Sequence, residues 1–156
     1  MFIGRNLDEA MVKSILQVRK TIDMNSALIS VCEQDKPQIL NIARNLQFAG
    51  FQIYATPGTC SFLKKNGIAS EVVYKIEDVR TPRVDRLIRE KRVGIVINTP
   101  ENRSGSLKDG NEIRRLSIRS NRLLATNIRL AEAIVSALIK KEKVSYREVS
   151  EYARKE

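Results

Sequence analysis

Thr56 and Thr59 stand three residues apart, with Pro57 and Gly58 between them, where an apolar run gives way to a helical one. The stretch Ile53-Tyr54-Ala55-Thr56-Pro57-Gly58-Thr59 brings two hydroxyls and several unpaired backbone N–H groups to a helix N-terminus. That end carries the positive pole of the helix dipole and suits a phosphate or a carboxylate. By itself such a turn is more often a helix cap. The ends of the other apolar runs supply the rest of the case. Ser30 closes the first, with Lys36 at the start of the helix that follows; Lys75 follows the third, and Asn98 and Thr99 the fourth. Thr126 and Asn127 follow the fifth. Neutral donors that fix orientation, with lysines that supply charge, make a receptor for an oxyanion. Singly, each residue has a plainer reading: a hydroxyl bonded to backbone, a solvated lysine, a turn former. Their coincidence at successive strand ends points to an anion pocket.

The elements that must position these groups can be read from periodicity. Asn6-Leu7-Asp8-Glu9 is a capping box, and Leu7, Ala10, Met11, Ile15 and Val18 recur at helical spacing, predicting a helix over residues 6–19. From Ser26 the rhythm becomes apolar strand, turn and helix, with strands over 27–31, 51–55, 71–74, 93–97 and 123–125. The first helix opens at Asp35 with Pro37 in its first turn and stops at Gly50; the second runs from Cys60 and stops at Asn66-Gly67. Residues 75–82 are irregular before a helix through Val84, Leu87 and Ile88. A polar loop over 98–108 leads to a helix from Asp109 to about Asn121, with Ile113 and Leu116 inward and Ile118 a further inward candidate. Leu130, Ala133, Ile134, Ala137 and Leu138 mark the next helix, and Ser145-Tyr146-Arg147-Glu148 opens a short last one. The alternation predicts an α/β fold: a five-stranded parallel sheet in three layers, with helices on both faces and further helices at each terminus. Ligands of such sheets bind beyond the carboxyl ends of the strands. The expected organisation is an N-terminal helix and linker (1–25), the strand and helix body (26–140) and a helical tail (141–156).

Composition narrows the chemistry. The 156 residues contain no histidine, which removes His bases, His-paired nucleophiles and the commonest zinc ligand. Cys32 and Cys60 match no metal spacing and read as reduced thiols. No apolar run reaches membrane-spanning length and the opening residues resemble no targeting peptide, so a cytoplasmic protein without metal or cofactor is expected. The net charge of +10 invites a nucleic-acid reading, but aromatics are only 5%, too few for an evident base-stacking platform. Its basic excess is densest from Arg103 onward and fits an acidic partner or a small anion as well as a polymer.

The same residues resemble a known family. Ala27-Leu28-Ile29-Ser30-Val31 with Asp35-Lys36, Ala55-Thr56-Pro57-Gly58-Thr59 and Val96-Ile97-Asn98-Thr99 look like the methylglyoxal-synthase-like fold. Asp109-Gly110-Asn111-Glu112-Ile113-Arg114-Arg115 is similar to the Asp-x-x-x-Ile-Arg-Arg signature in the C-terminal allosteric domain of the carbamoyl-phosphate synthetase large subunit. Ile3-Gly4, Glu9-Ala10 and Lys13 resemble the segment joining that domain to the preceding ATP-grasp region. The resemblance implies regulation, not catalysis, within a ligase of pyrimidine and arginine biosynthesis. Its implied effectors are UMP or IMP, or N-acetylglutamate as in urea-cycle relatives; its implied partners are the ATP-grasp regions and the glutaminase subunit. Carried over, Lys36, Thr56, Thr59 and Lys75 would hold the phosphate about the Gly58 turn, and Ser30, Asn98 and Thr99 would complete the pocket. Arg103 and Ile113 would face ribose and base. Val79-Arg80-Thr81-Pro82 departs from the family's Gly-Arg-Pro element, and Thr99-Pro100 from its Thr-Thr. The alternative is a stand-alone lyase acting on a small phosphorylated substrate, although methylglyoxal synthase itself needs a histidine.

Overall fold

The computed structural model describes residues 25–99 and 104–139, together with Glu9, Ala10, Lys13 and Ser14, which are helical. The remainder of the expected N-terminal helix and the helix expected from Ser145 lie outside the described residues. Five strands form one parallel sheet in the order β3-β2-β1-β4-β5. At its centre β1 (Ser26–Ser30) pairs with β2 (Gln52–Ala55) on one side and β4 (Ile95–Asn98) on the other. The edges are β3 (Glu71–Val72) and β5 (Leu123–Ala125). The backbone builds outward from β1 to β3, then crosses back to β4 and builds the other way. The crevice where direction reverses therefore opens between β1 and β4, where Ser30 stands in register with Asn98.

Strand alternation divides the core in two. Ala27, Ile29, Ile53, Ala55, Ile95 and Ile97 face α1 (Lys36–Phe48), α2 (Pro57–Lys65) and α5 (Ile128–Ile139). Leu28, Tyr54 and Val96 point the other way, onto α3 (Val84–Arg89) and α4 (Ser104–Arg119). Both faces are covered, which is why β1 and β4 read as almost unbroken apolar runs. Each fully buried Leu or Ile in these layers contributes on the order of 1.5–3 kcal/mol of transfer free energy. The stop after α1 works as its sequence suggests. Gly50 takes φ +79°, and Phe51 N–H donates to Leu46 O over 2.9 Å, closing the last turn.

Three details differ from the periodicity. β3 has only two ladder residues; Tyr74 instead donates to Pro82 O (2.8 Å) and accepts from Val84 N (2.9 Å), which pinches off residues 75–82 as a loop. α4 begins at Ser104, five residues before the expected start, so part of the polar stretch is helix. Gly and Ser lower helix propensity there, but propensity is a weak prior that tertiary contacts override; further along the same helix, Lys108 and Asp109 pair with Glu77 and Lys75. Ile118 is 69% exposed, whereas Ile113, Leu116 and Ser117 are buried, so the inward stripe of α4 runs through those positions and Ile118 turns away from it.

Candidate functional site

A cavity of about 300 Å³ opens at the carboxyl ends of β2, β1 and β4. Ser30, Lys36, Thr56, Gly58 and Thr59 line one side, and Lys75, Asn98, Thr99 and Ile113 the other. Arg103 lies outside the described residues. The fifth strand end is not part of the cavity: Asn127 Oδ1 accepts from Leu130 N (2.9 Å) and caps α5.

The floor is the N-terminus of α2. Thr56 occupies the cap position in extended conformation, yet its hydroxyl makes no capping bond to the helix. That hydroxyl lies instead 3.4 Å from both Ser30 Oγ and Thr59 Oγ1, so three hydroxyls converge beside the open end of the helix. Lys36 reaches the same place from α1. Its Nζ stands 3.7 Å from where a Cβ on Gly58 would be, and 5.8 Å from the Phe62 ring centroid. An ammonium beside the positive end of a helix dipole is repelled unless negative charge joins them. Glu33, an exposed residue in the turn preceding α1, provides it by pairing with Lys36. Asp35, expected to cap α1, makes no capping bond; its carboxylate accepts from Cys32 Sγ (3.2 Å).

The wall between β1 and β4 is cross-tied by hydrogen bonds. Thr99 Oγ1 accepts from Cys32 N (3.1 Å), so this hydroxyl braces the turn after β1 as well as lining the cavity. Asn98 is 2% exposed; its Nδ2 donates to Ser30 O at 3.4 Å, and its Oδ1 accepts from Arg114 Nε at 2.9 Å. Ile113, buried on α4, supplies the apolar surface above them.

The rim holds two further ion pairs. Lys75 Nζ meets Asp109 Oδ2 at 3.1 Å. Arg80 grips Asp78 with two parallel bonds, Nε to Oδ1 (2.9 Å) and Nη2 to Oδ2 (2.7 Å), and lies 4.2 Å from the Tyr74 ring centroid. The bonds from the Arg80 side chain, then from its backbone N–H, hold the Asp78 carboxyl down at about 2. The same pairing raises the Arg80 guanidinium.

The sequence profile of the MGS-like domain matches residues 38–126, more than half of the protein. The chain belongs to the MGS-like domain family. It is 43% identical over 152 residues to the carbamoyl phosphate synthase large chain of Thermoplasma volcanium, covering 97% of this sequence and 14% of that protein. Similarity to the same protein of Thermoplasma acidophilum is 41%, with the same coverage. The C-terminal section of the carbamoyl phosphate synthase large chain of Methanopyrus kandleri is 39% identical over 139 residues, covering 88% of this sequence and 26% of that one. Among the described residues, no helix of the domain is long and apolar enough to cross a membrane.

Sequence reasoning about this MGS-like domain overlooked Asp78, Arg80 and Asp109 as cavity residues. For Asp109 a signal existed, since it begins the motif that ends Ile113-Arg114-Arg115. For Arg80 the signal was its place in the stretch compared with the family's Gly-Arg-Pro element; Asp78 carries none, because an irregular loop says nothing of where its side chains fold back.

Proposed function

We propose that this MGS-like domain is an effector-binding regulatory module of a carbamoyl phosphate synthase large chain, and that its cavity takes a nucleoside monophosphate such as UMP or IMP. The observation that carries the reading is the uncapped N-terminus of α2, with Thr56, Thr59 and Ser30 hydroxyls around it and the Lys36 ammonium over Gly58. That arrangement suits a phosphate: N–H donors and hydroxyls bind its oxygens, and the ammonium balances its charge. The cavity continues past Ser30 to Asn98 and Ile113, leaving room for a body larger than phosphate. Its carboxylates, Glu33, Asp78 and Asp109, are each paired with a cation before any ligand arrives, and the sequence has no histidine to serve as a base. This favours binding over turnover. The ATP-grasp regions and the glutaminase subunit of the parent enzyme are the proposed recipients of the signal. Residues 26–140 would be the binding body, with 1–25 a helix and linker from the preceding region and 141–156 a helical tail.

A thermal-shift panel of UMP, IMP, N-acetylglutamate and inorganic phosphate tests the reading. A ligand at 100 times its dissociation constant adds about 2.7 kcal/mol, enough to raise Tm by roughly 5–10 °C in a domain of this size. UMP or IMP should shift Tm more than inorganic phosphate does. No shift from any of the four at millimolar concentration defeats the proposal.

A further inference from the structure

The end of the cavity away from α2 is built to a different chemistry. Neighbouring strands lie 4.7–4.9 Å apart and β1 separates β2 from β4, so Asn98 sits roughly 10 Å across the sheet from Thr56. A phosphate seated on α2 does not span that gap. Whatever meets Asn98 belongs to the body of the ligand.

Asn98 carries an amide, which can present either a donor or an acceptor to its surroundings. Arg114 decides which. Its Nε donates to Asn98 Oδ1 at 2.9 Å, while its Nη1 donates to Asn111 Oδ1 at 3.2 Å. A guanidinium has donors and no acceptor, so it can engage only the carbonyl side of the amide. The flipped amide would turn Nδ2 toward Arg114, donor against donor, at a residue that is 2% exposed. Nδ2 is therefore the atom left to the cavity, with only a long 3.4 Å contact to Ser30 O. Gly110 lies beside the pair: a Cβ there would stand at ordinary contact distance, 3.4 Å from Arg114 Nη2 and 3.5 Å from Asn98 Oδ1. Lys36, Lys75 and Arg80 each have a carboxylate partner, whereas Arg114 among the described residues bonds only neutral amide oxygens. Its charge remains to strengthen whatever Asn98 donates.

We infer that Arg114 is a positioning residue for ligand selection: by holding the Asn98 carbonyl it fixes Asn98 as a donor, so the site favours phosphorylated ligands that offer a hydrogen-bond acceptor on the side remote from the phosphate. The inference rests on the anion-binding reading above and adds to it the chemistry of the ligand's second end. It also gives the first arginine of the Ile-Arg-Arg motif a role behind the pocket wall, through Asn98.

Calorimetric titration of the full-length protein with UMP and with inorganic phosphate tests it, at 0.15 M salt, where exposed charges are screened beyond about 8 Å. Arg114→Met should weaken UMP about tenfold, the loss of one charge-assisted hydrogen bond, and change phosphate affinity less than about twofold. Arg114→Lys should recover only part, because an ammonium lacks the planar fork. In an Asn98→Ala background either Arg114 substitution should cost UMP nothing further. If Arg114→Met fails to fold, the Lys variant alone and combined with Asn98→Ala completes the same cycle. Equal losses for UMP and phosphate, or an undiminished loss in the Asn98→Ala background, would overturn the assignment. If UMP and phosphate both fail to bind the parent protein, the anion reading itself falls, and this inference with it.

Discussion

Lys75 Nζ lies 3.1 Å from Asp109 Oδ2, so the loop after β3 is tied to α4 across the mouth of the cavity. The lysine side chain is 51% exposed and the aspartate 19%, and a pair in such a setting is worth on the order of 1 kcal/mol or less. On the proposed reading, a phosphate would replace Asp109 at that cost. The same arrangement recurs at Lys36 with Glu33 and at Arg80 with Asp78. In each case an acid from the rim occupies the cation that an anionic ligand would use.

Lys75→Ala should therefore affect binding much more than folding. Loss of one charge-assisted contact predicts a fall of about tenfold or more in UMP affinity. Tm without ligand should move by no more than a few degrees. Thermal shift with and without UMP measures both, and an unchanged UMP-induced shift would remove Lys75 from the site.

Glu33→Gln should act in the opposite sense. Glu33 is exposed and competes for Lys36, whose own side chain is only 12% exposed beside the α2 terminus. Without that competitor, inorganic phosphate should bind several-fold more tightly, with the difference shrinking as salt rises. Weaker binding in this variant would mean that Glu33 holds Lys36 in place instead of opposing the ligand.

Acid should loosen the loop at residues 75–82. The Asp78 carboxyl is depressed from its ordinary 3.8 to about 2 by its bonds to Arg80. A depressed carboxyl contributes stability above its unfolded value and loses it as pH falls toward the folded value. Between 3.8 and about 2, Asp78→Asn should lose less stability with falling pH than the parent does. Parallel acid denaturation curves for the two proteins would show that the pair does not contribute.

The core prediction is independent of any ligand. Leu28 is fully buried on the central strand, in register with Val96 and in the same buried cluster as Leu87 and Ile113. Leu28→Ala should cost about 3 kcal/mol, the usual range for a buried leucine being 2–5. Denaturant unfolding measures it, and a cost below about 1 kcal/mol would mean that this layer collapses to fill the space.

Several features of this protein needed nothing beyond its sequence. The β1 and β4 cores and the Gly50 stop follow from apolar spacing and backbone stereochemistry, which act over a few residues, whereas α2 opens at Pro57, three residues before the expected Cys60. Once the parallel fold is inferred, the strand-end residues Ser30, Thr56 and Asn98 must share one edge of the sheet, whatever the strand order. Tertiary structure decided which strand ends count. β5 falls at the sheet margin and its Asn127 becomes a cap, while Asn98 falls beside Ser30 at the reversal point. It also decided the partners of the charges. Lys75 finds Asp109 on an element remote in the sequence, and Arg114 finds Asn98 on the strand just before its own helix. Long polar side chains have no period of their own, and their contacts exist only after the elements that carry them have packed.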